Sequence, residues 1–441
     1  MGICRALVVS RRVAFMSSYH STDPADEHLA PAASLAMQQL AFVLAVLRQF
    51  GCTRADVDHV AALARLNGTD LGTELIADRL VGEEALMRAV ASVLDLPFED
   101  VIPADAAVVE AENESGARHL RTCGRGLVPT LYLAPALEQI GACRAFLERR
   151  ASDGPRVVVT SSSAIQNHRN AANARERSRN ARLAFAAESP RWSARTVMTS
   201  SQGFAAGLIV SGSALTLALA GAAAITALHV TMSLFFAAHT ILRLLVLLQH
   251  GGSDPRARRA PPSNVAALPI YSVLVALHRE RDMVGPLIAS LAELDWPRSR
   301  LEVKLVCEAD DHDTIEAVRA AIADQPGFAL VAVPPSEPRT KPKALNFALP
   351  LTRGAFVVLY DAEDRPHPDQ LMEAWRAFQA DDERLACVQA PLTIRNHGAN
   401  FFTGLFALEY AVLFRATLPF LARHRLPLPL GGTSNHFRGI M

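Results

Sequence analysis

Residues 203–242 contain no Asp, Glu, Lys or Arg, and no other feature narrows the folding options of this chain as much. As a helix they would extend about 60 Å, roughly twice the hydrocarbon thickness of a bilayer. Two crossings fit that length better than one, over about 204–224 and 227–248, with a tight turn near 225–229. Arg191 and Arg195 precede the pair, and Arg243, Arg256, Arg258 and Arg259 follow it. Basic flanks on both sides put both ends in the cytoplasm of a bacterial-type inner membrane, with the lipid bilayer as a partner. The soluble alternative is a helical hairpin buried inside a globular protein.

With 441 residues, the rest of the chain makes two or three domains. Acidic and basic residues balance at 44 each, so no global field favours nucleic acid. The six cysteines are scattered without a CxxC pair, which argues against a zinc site or a disulfide framework. Residues 1–33 form a loose leader with no adequate signal-peptide core. Residues 34–160 are a small helical and α+β unit. Thr53 and Asp56 make a capping-box start, Asn67-Gly68 a C-cap, and strands are expected over 128–133 and 156–160. Residues 161–202, rich in Arg, Asn and Ala, are a solvated helix or basic linker. The succession Leu71-Gly72-x-x-Leu75-Ile76, Leu86 and Leu94-x-Leu96-Pro97-Phe98 resembles the N-terminal domain of type II secretion ATPases, which in some members binds cyclic di-GMP. Asp70 and Arg79 stand where that pattern has arginine and glycine.

After Pro261 and Pro262 the pattern becomes strand–helix alternation. Strands are expected at Tyr271–Leu277, 301–307, 329–333 and Phe356–Tyr360, with helices between them, one capped near Asp313. This predicts an α/β fold with a mostly parallel sheet and helices on both faces. A polar cluster follows each strand: His278-Arg-Glu280, Glu308-Ala-Asp310-Asp311, Lys341-Pro-Lys343 and Asp361-Ala-Glu363-Asp364. In such sheets ligands gather at the carboxyl ends of the strands, so the clusters should share one rim. Carboxylates there can hold a hard divalent ion, and cations can neutralise phosphate. Lys341 and Lys343 are two of only three lysines in the chain. No GxxxxGK[ST] or GxGxxG loop is present, which counts against P-loop ATPases and Rossmann dehydrogenases.

Six ordered motifs carry a resemblance over about 264–441. They are Leu277-His-Arg-Glu280, Val306-Cys-Glu308-Ala-Asp-Asp311, Thr340-Lys-Pro-Lys-Ala-Leu-Asn-Phe-Ala348, Asp361-Ala-Glu363-Asp364, Val388-Gln-Ala390 and Gly431-Gly-Thr-Ser-Asn-His-Phe-Arg438. The segment resembles the membrane-bound, cellulose synthase-like glycosyltransferases of family 2, with a GT-A (Rossmann-like) fold. The resemblance implies inverting transfer of a sugar from a nucleotide-sugar, with UDP-hexose as default, to a polysaccharide. It implies that His278, Glu280, Glu308 and Asp310 hold the nucleoside and that Lys341 and Lys343 serve the diphosphate. Asp361 and Glu363 would hold Mg2+ or Mn2+, with glutamate in place of the commoner second aspartate. Gly431, Gly432, Thr433 and Ser434 would lie by the acceptor, and residues 400–420 would form an amphipathic interfacial helix. Family members continue to an acidic general base and a QxxRW segment, so the base is expected beyond Met441. The competing expectation is a catalytically inactive, membrane-tethered nucleotide-sugar binder or a cyclic di-GMP-responsive regulator.

Overall fold

The computed structural model describes residues 43–109, 118–123, 129–149, 154–193, 195, 197–249, 268–380 and 384–439. The leader, Pro261, Pro262 and the arginines at 256, 258 and 259 lie outside them, as does Met441. The first unit opens with α1 (Arg54–Asn67). Thr53 caps it reciprocally with Asp56, and Gly68 closes it at φ 63° in the left-handed region that glycine enters freely. α2 (Leu71–Ala77) and α3 (Glu83–Leu94) follow, and their apolar faces meet around Leu75, Leu86 and Val90. Four strands complete the unit in the order β1-β2-β3-β4: Ala107–Val108, His119–Cys123, Thr130–Leu133 and Arg156–Val159. The last two match the expected strands. The first two were not legible, because His119–Cys123 reads HLRTC and lacks an apolar run. α4 (Ile140–Glu148) links β3 to its parallel neighbour β4.

The basic stretch after β4 is not a free linker. It forms α5 (Ser162–Ala172) and α6 (Ala174–Glu188), and α6 packs on the next sheet unit. The Arg177 guanidinium lies 5.3 Å from the centroid of the Phe347 ring. Ser178 and Ser336 hydroxyls are 3.2 Å apart, and Arg182 donates to the Glu337 carbonyl. The first unit is also tied directly, since Arg300 donates to the carbonyls of Asn67 and Gly68 and Arg79 donates to Gln325.

The uncharged run forms α7 (Ser200–Gln249), broken at Ala220 (φ −126°, ψ 19°). The expected turn at 225–229 is helical; the backbone departs from helix five residues before that window. About 20 residues stand before the break and about 29 after it, each long enough for the hydrocarbon layer. Most of its large apolar side chains are exposed, Leu219 and Leu248 each at 79%, whereas Val246 near its end is buried.

Next comes the α/β unit. Its elements are β5 (Tyr271–Leu277), α8 (Arg281–Ala292), β6 (Leu301–Glu308), α9 (His312–Ile322), β7 (Phe328–Val333), α10 (Lys341–Ala348), β8 (Phe356–Tyr360), α11 (Gln370–Ala380), β9 (Cys387–Gln389), α12 (Phe401–Val412), α13 (Leu418–Arg423) and β10 (Asn435–Arg438). The sheet order is β7-β6-β5-β8-β10-β9. The first four strands run parallel, and β10 pairs antiparallel with both β8 and β9. The apolar residues of α8, α9 and α11 cover one face around Tyr271, Val303, Phe356 and Phe378. α10 and α6 cover the other, over Leu274, Val306 and Val357. The mixed α/β fold expected from the alternation is therefore present. The cap of α9 is Asp311 rather than Asp313. Gly354, ahead of β8, admits no side chain: a Cβ there would stand 2.6 Å from the Ser272 nitrogen.

α12 and α13 run on through a wide turn at Leu413–Thr417, and the end of α7 meets that turn. Phe401, Phe402, Phe406 and Leu408 are more than half exposed, so this is not a core helix.

Candidate active site

The chain runs β5, β6, β7 outward and then places β8 on the other side of β5. The order therefore reverses between β5 and β8, and in open α/β sheets ligands bind in the crevice outside the carboxyl ends at such a switch point. β5 ends into His278, Arg279 and Glu280, and β8 ends into Asp361, Ala362, Glu363 and Asp364. The two turns share one field. Burial first, and then the negative charges of Glu363 and Asp361, push the Glu280 carboxyl above its ordinary value.

Lys341 begins α10 next to Pro342, a residue suited to a first helical turn. Its ammonium forms an ion pair with Asp361 Oδ1 and donates to the Gly432 carbonyl at 2.9 Å. Both ionic side chains are about a third exposed (31% and 30%), so the pair faces solvent at the rim. Glu363 beside it is exposed, as is His278. Asp310 is exposed and pairs with Arg339 at 2.7 Å; that hydrogen bond holds its carboxyl below the usual range. Arg339 was not singled out in the sequence, although it lies only two residues before Lys341. The β5 and β6 ends are joined as well. The Arg279 amide, at φ 58°, donates to Asp311 Oδ2 at 2.6 Å, and the Glu280 amide donates to Thr314 Oγ1 at 3.1 Å. A non-glycine residue in the left-handed region costs conformational energy and is enriched where a turn carries function.

Two expected ligands turn inward. Lys343 and Glu308 are paired at 2.6 Å, with side chains only 2% and 6% exposed, and Lys343 also donates to the Ser336 carbonyl. Glu308 Oε2 is buried without a partner. In this arrangement Lys343 is spent on Glu308, and neither group faces solvent. Thr433 and Ser434 are also buried (8% and 3%), and the Ser434 amide donates to the Leu359 carbonyl at 2.7 Å. The expected acceptor loop is thus stitched onto β8, and only its Gly431 and Gly432 end reaches the rim.

Among the described residues no group of three or more His, Cys, Asp and Glu side chains is arranged to hold a metal. Asp361 and Glu363 are a pair of oxygen donors two residues apart. That set fits a hard divalent ion that takes its remaining positions from phosphate and water. A cavity of about 1230 Å3 lies elsewhere, among α2–α3, α5–α6 and the amino-terminal ends of β6 and β7; none of the expected donor, metal or acceptor residues lines it, whereas Gly72, Ile76 and Leu86 do. The chemistry gathers at the carboxyl-end rim instead.

Residues 269–438 match the family described as glycosyltransferase like family 2. The matched segment is the α/β unit that carries the rim described above. Curated relatives include the beta-monoglucosyldiacylglycerol synthases of Trichormus variabilis and of a Nostoc species. The first is 26% identical over 148 residues, covering 34% of this chain and 31% of the relative. The second is 27% identical over 137 residues, covering 31% and 29%. The chain spans about a third of the length of these relatives. Similar solved structures include a mannosyltransferase from Pyrobaculum calidifontis in complex with GDP-Man and Mn2+ (26% identity, 45% of this chain and 60% of that chain, TM-score 0.30). Another is glucosyl-3-phosphoglycerate synthase from Mycobacterium tuberculosis with Mn2+, uridine diphosphate and glucosyl-3-phosphoglycerate (20% identity, 40% and 62%, TM-score 0.27). At those scores the likeness assigns no residue.

Proposed function

We propose that the chain is a membrane-anchored glycosyltransferase that moves a hexose from a nucleotide-sugar donor to an acceptor held at the bilayer surface. The carrying observation is the solvent-facing contact of Lys341 with Asp361 at the switch point, beside Glu363 and Glu280. Asp361 and Glu363 would hold Mg2+ or Mn2+, which neutralises the leaving diphosphate. Lys341 is placed to exchange Asp361 for a phosphate oxygen, adding a cation where negative charge develops. Glu280 and Asp310 flank the same crevice on the nucleoside side. Lys343 and Glu308 would act beneath it, fixing α10 rather than touching the donor. Inverting transfer needs a carboxylate to take the acceptor proton, and we assign that role to no described residue.

The anchor reading is supported by two apolar helical spans, Ser200–Leu248 and Phe401–Arg423, with mean hydropathies of 2.0 and 1.5. Arginines on both sides of α7 favour cytoplasmic ends for it. The acceptor has two readings. The family resemblance suggests a polysaccharide. A lipid hydroxyl is favoured by the exposed apolar side chains of α12, followed by Leu426, Leu428 and Leu430, leading directly into Gly431; the relatives' names point the same way.

The test is Mn2+-dependent hydrolysis of UDP-glucose and GDP-mannose by the full chain in detergent, compared with Asp361→Asn. A loss of about a hundredfold or more in the variant is expected, the scale of removing one electrostatic stabiliser from such a site. Equal rates in wild type and variant refute the assignment. Mn2+-dependent nucleotide binding without turnover makes the chain a nucleotide-sugar binder instead.

A further inference from the structure

Asp364 is the third acid of the turn after β8, and by spacing alone it is a spare metal ligand. Its geometry gives it another use. Asp364 Oδ2 accepts the Asp361 amide at 2.7 Å and also the hydroxyl of Thr433, 69 residues on in the chain. Thr433 Oγ1 lies 3.1 Å from the same Asp361 nitrogen. With a single proton, the hydroxyl donates to the carboxylate and offers a lone pair to the amide. Thr433 is 8% exposed, so water competes little for these bonds. Arg365 closes the turn from the other side by donating to the carbonyls of Ala362 and Asp364. The adjoining loop is attached at three successive residues. Gly432 accepts from Lys341, Thr433 bonds Asp364, and the Ser434 amide bonds Leu359.

We propose that Asp364 and Thr433 are positioning residues whose side chains clasp the Asp361–Glu363 turn to the 431–434 loop and so hold the donor and acceptor sides in one register. The proposal deepens the sugar-transfer reading and rests on it. The clasp also explains why a third carboxylate is tolerated here. Burial, with the charges of Asp361 and Glu363 adding to it, pushes the Asp364 carboxyl up, and the Thr433 hydrogen bond works against that rise. An ordinary core threonine would bond a nearby carbonyl instead. The one in reach, Leu359 O, is 3.4 Å away and outcompeted by the carboxylate.

The experiment compares the full chain with Thr433→Val, which keeps the shape and removes the hydroxyl, and Thr433→Ser, which keeps the hydroxyl. Two quantities are read: amide hydrogen exchange at Asp361, and the affinity for Mn2+·UDP by calorimetry. In Thr433→Val the Asp361 amide should exchange about tenfold faster and Mn2+·UDP should bind about tenfold more weakly, the order that a charge-assisted hydrogen bond is worth. Thr433→Ser should restore both. A Thr433→Val protein that melts lower yet keeps wild-type exchange and affinity overturns the clasp and makes Thr433 plain core. If wild type and Asp361→Asn both fail to take up Mn2+·UDP, the donor-site reading itself falls. The positioning role then falls with it, whatever the exchange result.

Discussion

Removing the ammonium of Lys343 separates a buried structural lysine from a phosphate ligand. In Lys343→Met the stem keeps nearly its volume, but Glu308 loses its partner at 2.6 Å while its side chain stays 6% exposed. Its Oε2 is already without a partner, so both carboxylate oxygens would then be buried and unpaired. Breaking one side of a buried ion pair costs about 3–5 kcal/mol. For a unit of this size that lowers the melting temperature by roughly 6–20 °C, at about 2–4 °C per kcal/mol. Replacing both partners in Glu308→Gln/Lys343→Met removes the stranded charge and should recover most of the loss. The assay is thermal unfolding of the full chain in detergent, followed at the transition of the α/β unit. Lys341→Met is the control: its pair with Asp361 is about a third exposed, so its stability cost is about 0–1 kcal/mol, while Mn2+·UDP affinity should drop. If Lys343→Met melts within about 2 °C of wild type and loses nucleotide affinity instead, Lys343 belongs to the diphosphate site. The assignment of roles made here is then reversed.

Two further outcomes are expected. His436 is fully buried, its Nδ1 is 2.7 Å from the Tyr271 hydroxyl, and burial pushes its pKa down to about 3. The folded state therefore refuses a proton that the unfolded state binds below about 6.5, so this contribution is intact above that pH and is lost as pH falls. The loss approaches ~1.4 kcal/mol per pH unit. Urea unfolding of wild type between pH 7 and 5 should show that slope and His436→Asn should not; parallel slopes refute it. Arg300→Ala removes the bonds to the Asn67 and Gly68 carbonyls. It should speed limited proteolysis between the first unit and the α/β unit several-fold, leaving the melting of the α/β unit within about 1 kcal/mol of wild type. Unchanged cleavage means that α6 and the Arg79–Gln325 and Asn67–Ser299 bonds hold the units together without Arg300.

The order of strands and helices from residue 271 to 360 was readable in the sequence, because alternation of apolar strand runs with 3.6-periodic helix faces is a local signal; the short strands β9 (CVQ) and β10 (NHFR) were not. The polar clusters were readable for the same reason, each being contiguous and directly following a strand. α6 was not. Its sparse apolar residues look solvated alone, and its partner is the Phe347 face of a helix more than 150 residues away. The break in α7 falls at Ala220, beside Gly221; that glycine is a local signal for a break, yet the expected turn lies at 225–229.

By itself the sequence determined that this chain has a long uncharged helical run, a parallel-rich α/β unit, and acids and lysines at the ends of its strands. Only the tertiary structure decided which of them meet. Lys341 and Lys343 look equivalent in a motif, yet residues two apart on a helix point to different sides. One therefore reaches Asp361 at the open rim, while the other lies beneath the sheet face against Glu308. Likewise Asp364 and Thr433 became partners only because β10 pairs antiparallel with β8 and brings a distant loop onto the acidic turn. Periodicity and composition are properties of neighbours along the chain, whereas burial and pairing depend on strand order and register, which no short stretch encodes.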